Sequence, residues 1–80
     1  MDELNLDQHE DVESSNLKSV GTKGNYLVVA FKSGPIYVYK DMAHVFSDLV
    51  SSESVGEFFN VNVKQMPFVR LRDNQWPEEL

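Results

Sequence analysis

Apolar side chains in this chain fall into stretches of different period, and each period predicts an element. Tyr26-Leu27-Val28-Val29-Ala30-Phe31 is an unbroken β-branched and aromatic run, the composition of a strand. Lys32-Ser33-Gly34 interrupts it, and Pro35-Ile36-Tyr37-Val38-Tyr39 resumes it as a second strand. Ahead of both, residues 17–22 predict a short first strand, closed by a turn at Lys23-Gly24-Asn25. Then the period changes. Met42, Val45, Phe46 and Leu49 recur at i, i+3, i+4 and i+7, the one-sided stripe of an amphipathic helix reaching about Val50, with Asp41 as its N-cap. Ser54-Val55-Gly56-Glu57 matches the S-x-x-E capping box and opens a second short helix carrying Phe58 and Phe59. Pro67 forbids a helix through it and biases Met66 towards extended backbone, so residues 68–71 are expected to form a last strand. The predicted fold class is α+β: a small antiparallel β-sheet of three to four strands with two short helices packed on one face, in the order β-β-β-α-α-β.

Loop length decides which side chains share a sheet face. A three-residue loop with Gly34 in the left-handed position sets Val29 opposite Tyr37 and Leu27 opposite Tyr39. A two-residue Ser33-Gly34 loop sets Ala30 against Tyr37 instead. Gly34 suits positive φ and Pro35 cannot adopt it, which favours the first. One face then carries Leu27, Val29, Phe31, Tyr37 and Tyr39, and the other carries Val28, Ala30, Ile36 and Val38. The second set is apolar where a one-sided hairpin is normally polar. If the helices take the tyrosine face, this leaves an apolar patch, and such patches mark interfaces. Val28, Ala30, Ile36, Val38 and Trp76 are therefore a candidate protein interface. The patch is expected to be buried by a second copy, by a partner protein, or by the C-terminal tail through Trp76.

Charge redraws the boundaries. Residues 1–16 carry six acids and no Lys or Arg, few apolar side chains and no sustained period, so they are expected to be a disordered acidic tail. Residues 73–80 form a second acidic tail with three more acids. All seven basic residues (Lys18, Lys23, Lys32, Lys40, Lys64, Arg70, Arg72) lie between, against only four acids. A mildly basic domain over residues 17–72, flanked by acidic tails, differs from a uniformly acidic protein. With no cysteine there is no disulfide staple and no thiol nucleophile. The N-terminus is acidic where a signal peptide is basic, and no apolar run approaches the roughly 20 residues of a membrane span, so a cytoplasmic protein is expected.

The catalytic inventory is short. Asp41, His44 and Asp48 share one helix surface, a pattern able to hold a metal, but the simpler reading is a solvated face opposite the apolar stripe. Ser47 beside Asp48 lacks the rigid relay and oxyanion pocket of a triad. The glycines fit hairpin turns rather than a phosphate loop. No enzyme activity, metal or other cofactor is expected.

The order of a Y-x-Y strand (Tyr37, Tyr39), a helix, and a G-x-F-F-N element (Gly56, Phe58, Phe59, Asn60) resembles the KTSC family. This short domain is named for its place at the C-terminus of some lysyl-tRNA synthetases and also stands alone in bacterial and phage proteins. The resemblance spans about residues 17–72 and implies RNA binding. Family members often carry a basic residue where this chain has Glu57. The candidate nucleic-acid-binding residues are Lys64, Arg70, Arg72, Lys32, Lys40, Tyr37, Tyr39 and Asn60. Among them Lys64, Arg70 and Arg72 are expected to line one groove. Tyr37 and Tyr39 read either as base-stacking rings or as core residues with hydroxyls at the rim, the register favouring core. Asn60 reads either as a left-handed helix terminator or as an amide offered to a ligand. Two functions follow: a non-enzymatic binding module associated with RNA or another nucleic acid, or a small acidic regulatory protein of the phage type that binds a cellular protein through the apolar sheet face and acidic tail. A homodimer through that face is a third partner state, and no membrane association is expected.

Overall fold

A computed structural model describes residues 5–71 and residue 76. Five strands, β1 (Gln8–Asp11), β2 (Leu17–Lys23), β3 (Tyr26–Phe31), β4 (Ile36–Tyr39) and β5 (Val69–Arg70), form one antiparallel sheet whose spatial order follows the chain. Between β4 and β5 the chain makes a 3-10 turn, Ala43–Val45, and two helices, α1 (Phe46–Ser51) and α2 (Val55–Asn62). The α+β class and the two helices on one face are as the pattern predicts, with one strand more than expected. Among the described residues no helix is long and apolar enough to cross a membrane.

The extra strand lies inside the segment expected to be disordered. All four β1 side chains are exposed, so no hydrophobic period announces it. It is held by backbone pairing to β2 and by local polar contacts: Asp7 N–H donates to the Thr22 carbonyl at 2.7 Å, and the Gly24 N–H donates to the Asp7 carboxylate at 2.7 Å. Gly21 is what lets β1 come so near. A Cβ there would lie 2.5 Å from the Gln8 carbonyl oxygen and 2.6 Å from Leu6 Cδ1.

The β3–β4 register is that of the three-residue loop, with Leu27 opposite Tyr39 and Val29 opposite Tyr37. Gly34 has φ 121°, and the loop closes through the Phe31 N–H on the Pro35 carbonyl and the Gly34 N–H on the Phe31 carbonyl. A bulge at Lys18 shifts the β2 register between Leu17 and Ser19. It carries Leu17 onto the same face as Val20, which strict alternation forbids. That face packs with Leu27, Val29, Tyr39, Met42, Phe46, Leu49, Val55, Phe59 and Val63 in one cluster.

The opposite face forms a second cluster of Val28, Ala30, Ile36, Val38 and Leu71, with Leu6, Tyr26 and Trp76 packed against it. Val28 and Val38 are 0% exposed. The chain therefore covers its own apolar patch. Of the three covers expected for it, the structure has the tail, with Trp76 against Tyr26 at 5.4 Å between ring centroids and Lys23 Nζ 5.6 Å from the indole. Val28, Ala30, Ile36 and Val38, candidates for a protein interface, are thus core residues of one chain.

Two caps differ from expectation. Asp41 adopts φ 57° in the turn after β4 and is not the N-cap; Met42 holds that position for the 3-10 turn, without a side-chain bond. At α2, Ser54 Oγ accepts the Glu57 N–H at 3.3 Å, the serine half of the capping box. The Ser54 N–H donates to Ser52 Oγ at 3.2 Å, which takes the place the box assigns to glutamate.

Candidate cleft beside an aromatic edge

The second helix brings the G-x-F-F-N residues to the sheet. Phe59 is buried against the main core and Phe58 is half-buried beside it, because consecutive aromatics on one helix point about 100° apart. Gly56 lies where the β1–β2 connection crosses the helix: a Cβ would sit 3.0 Å from Ser14 Oγ. That hydroxyl is engaged, accepting the N–H groups of Asn16 and Leu17, each at 3.3 Å. The next residues are tied from the other side, since the Lys32 N–H donates to the Asn16 carbonyl at 2.8 Å. The glycine, the connection and the β3–β4 hairpin thereby frame a cleft of about 460 Å³.

Leu17, Phe31 and Phe59 supply the apolar floor of the cleft; Asn16, Asn60, Ser15 and Ser33 supply polar walls; Lys32 and Lys64 are the charges among its described residues. None of the described residues that line it is acidic, in a chain with 13 acids among 80 residues. Lys64 sits just past the end of α2, where its N–H and that of Val63 both donate to the Phe59 carbonyl at 2.9 Å. Its charge also lies at the helix end that favours a cation. Asn60 is exposed inside α2 and has no positive φ, so it does not end the helix. The helix end is closed instead by the Val63 and Lys64 N–H groups on the Phe59 carbonyl, with side-chain amides adding Asn62 Nδ2 on Phe58 O at 3.2 Å and Gln65 Nε2 on Val61 O at 2.9 Å. Freed from capping, Asn60 faces the cleft.

A row of rings leads from the cleft floor to the β5 edge. Phe31 contacts Phe59 at 5.6 Å and Tyr37 at 4.9 Å, and Tyr37 stacks on Phe68 at 4.2 Å with planes 10° apart. Phe68 is 47% exposed, an aromatic face left open at the molecular edge. Arg70 pairs with Tyr37 across β4 and β5, so its side chain leaves from the same sheet face. Tyr39 is 1% exposed and touches Phe59 and Phe68 edge-on or tilted. Burial, with a smaller effect of the neighbouring Tyr37, pushes its hydroxyl from 10.0 up to about 12.

The structure therefore sorts the residues singled out from sequence. Lys32, Lys64 and Asn60 meet in the cleft; Tyr37 and Arg70 lie on the adjoining edge; Tyr39 is core. Lys40, at the far end of β4 from the hairpin tip, stands apart. Arg72 lies outside the described residues, and Lys64 groups with Lys32 in the cleft rather than with Arg70. Phe68 was legible only as the start of a strand, yet it is the exposed ring. A large apolar residue between Pro67 and a two-residue edge strand too short to bury it is the signal that points to it.

A five-strand antiparallel sheet with two helices on one face, and a cleft lined by Lys32, Lys64, Phe31 and Phe59 among others, defines a small α+β domain. The chain belongs to the KTSC domain family, whose model matches residues 13–68, more than half its length. The match includes Gly56, Phe59 and Asn60, the residues at the cleft. No curated protein matches the sequence at a significant level.

Proposed function

We propose that this protein is a non-enzymatic binding module for single-stranded nucleic acid, RNA foremost, acting in the cytoplasm. The observation that carries the reading is the exposed Phe68 ring, stacked on Tyr37 beside Arg70 and continuous with a cleft whose only charges among the described residues are Lys32 and Lys64. An open aromatic face accepts a base of any identity, and cations spaced along the same surface neutralise the backbone. The acidic β1 edge supports it by position. It lies four strand spacings from β5, about 19 Å away, beyond a Debye length of about 8 Å at physiological salt. The acids of β1 thus do not strongly repel a strand bound at Phe68 and Arg70. A cellular protein partner keeps less support, since the sheet face meant to anchor it is closed by the chain itself.

Fluorescence anisotropy of a labelled oligouridine, titrated at several salt concentrations, tests the reading. Three charge contacts to the backbone, from Lys32, Lys64 and Arg70, give a log–log salt slope of about −2 for a single strand. Phe68→Ala is expected to weaken binding about tenfold, within the range for loss of one stacked base. Absence of saturable binding at low salt, or a slope unchanged when all three cations are replaced by Gln, refutes it.

A further inference from the structure

The shape and chemistry of the cleft are more specific than a path for a polyanion. Its walls are fixed before any ligand arrives. The Ser14 hydroxyl holds the Asn16 and Leu17 amides, Gly56 lets that connection rest on α2, and the Lys32 N–H ties it to the hairpin. Preorganisation of this kind removes ordering cost from binding. Two ammonium groups suit a phosphate monoester, which carries close to two negative charges at neutral pH. The Asn16 and Asn60 amides each offer donors and an acceptor, the complement of a base's polar edge, and the apolar floor offers its flat face a dry support. At about 460 Å³ the cleft is within the range that encloses a small organic ligand, and is too large for an inorganic anion to fill.

We propose that the cleft holds one nucleotide unit, a nucleoside monophosphate or the phosphorylated end of a strand, with its phosphate between Lys32 and Lys64 and its base edge against Asn16 and Asn60. This rests on the nucleic-acid reading and narrows it. Phe68 and Arg70 then serve the next nucleotide, since Phe68 is separated from Phe31 at the cleft by a single intervening ring, Tyr37.

The test is a titration of the full isotope-labelled chain, followed by amide resonances, with uridine monophosphate, adenosine monophosphate, uridine, and inorganic phosphate. The same chain is then titrated with an oligouridine bearing either a 5′-phosphate or a 5′-hydroxyl. At least one monophosphate is expected to shift the amides of Asn16, Ser33, Asn60 and Lys64 and to bind at least tenfold tighter than uridine or inorganic phosphate. Asn60→Ala and Lys64→Gln, both at exposed positions, are each expected to weaken it threefold or more with the remaining spectrum unchanged. If the 5′-phosphorylated strand outbinds the free nucleotide and the hydroxyl strand, a strand end is the natural source; otherwise the free nucleotide is. Monophosphates that bind no better than inorganic phosphate, or that shift residues elsewhere, overturn the inference. Oligouridine binding at Phe68 and Arg70 without any monophosphate binding overturns the inference alone and leaves the module reading standing. No binding of either kind removes both.

Discussion

Replacing Gly21 by Ala is expected to peel the acidic N-terminal strand from the sheet while leaving the core intact. The new Cβ lies 2.5 Å from the Gln8 carbonyl oxygen and 2.6 Å from Leu6 Cδ1. Carbon reaches comfortable contact only near 3.5 Å, so β1 must retreat by roughly 1 Å. A displacement of that size takes ladder bonds of ordinary length beyond hydrogen-bonding range. The side chains offer little resistance, because all four β1 residues are exposed and only Leu6 and Val12 nearby pack on the clusters. Two or three net hydrogen bonds, at roughly 1 kcal/mol each, set a destabilisation of about 2 kcal/mol. For a domain of this size that lowers Tm by about 10 °C. Thermal melts by circular dichroism measure the shift, and hydrogen exchange locates it. Protection should be lost at residues 8–11 and kept at residues 26–31. An unchanged Tm with full protection of β1 refutes the reasoning, as does global loss of exchange protection in native buffer.

Two further outcomes follow from buried groups. The Tyr39 hydroxyl, pushed up to about 12, favours the neutral form in the folded state. Its contribution is fully present below pH 10 and is lost as pH climbs from 10 through 12; an order of 1–3 kcal/mol is at stake. Denaturant midpoints of wild type and Tyr39→Phe should diverge over that window, and parallel curves disprove the assignment. Val38→Lys places an unpaired charge where exposure is 0%, at a cost of several kcal/mol that a domain this small cannot absorb. Circular dichroism is expected to show an unfolded chain. A folded variant with altered mass by light scattering would instead make the back face an interface between copies.

The hairpin shows what local chemistry determines. Gly34 and Pro35 together select the three-residue loop, and the loop sets the register that puts Tyr37 and Tyr39 on the helix side. The 3.6-residue stripe of Met42, Phe46 and Leu49, and the Ser54 cap, likewise announce helices whose packing face is written in their spacing. These features depend on neighbours in sequence. The second apolar face was also legible, as a patch that something had to cover, but not what covers it.

Everything else needed distant parts of the chain to meet. The first strand has no apolar period because it forms by backbone pairing against a glycine, and backbone groups are the same in every residue. The bulge at Lys18 that turns Leu17 inward leaves no mark on the pattern. Asn16, Lys32 and the Asn60–Lys64 pair are far apart in sequence and come together only because the connection after β1, the hairpin tip and α2 converge on one side of the sheet. Trp76 returns to the opposite side and closes it with Leu6 and Leu71. The sequence by itself thus determined the elements, the two-faced hairpin and the family motif. Tertiary structure decided which face was left to a ligand, because burial on one side of a sheet is settled only by what the rest of the chain lays against it.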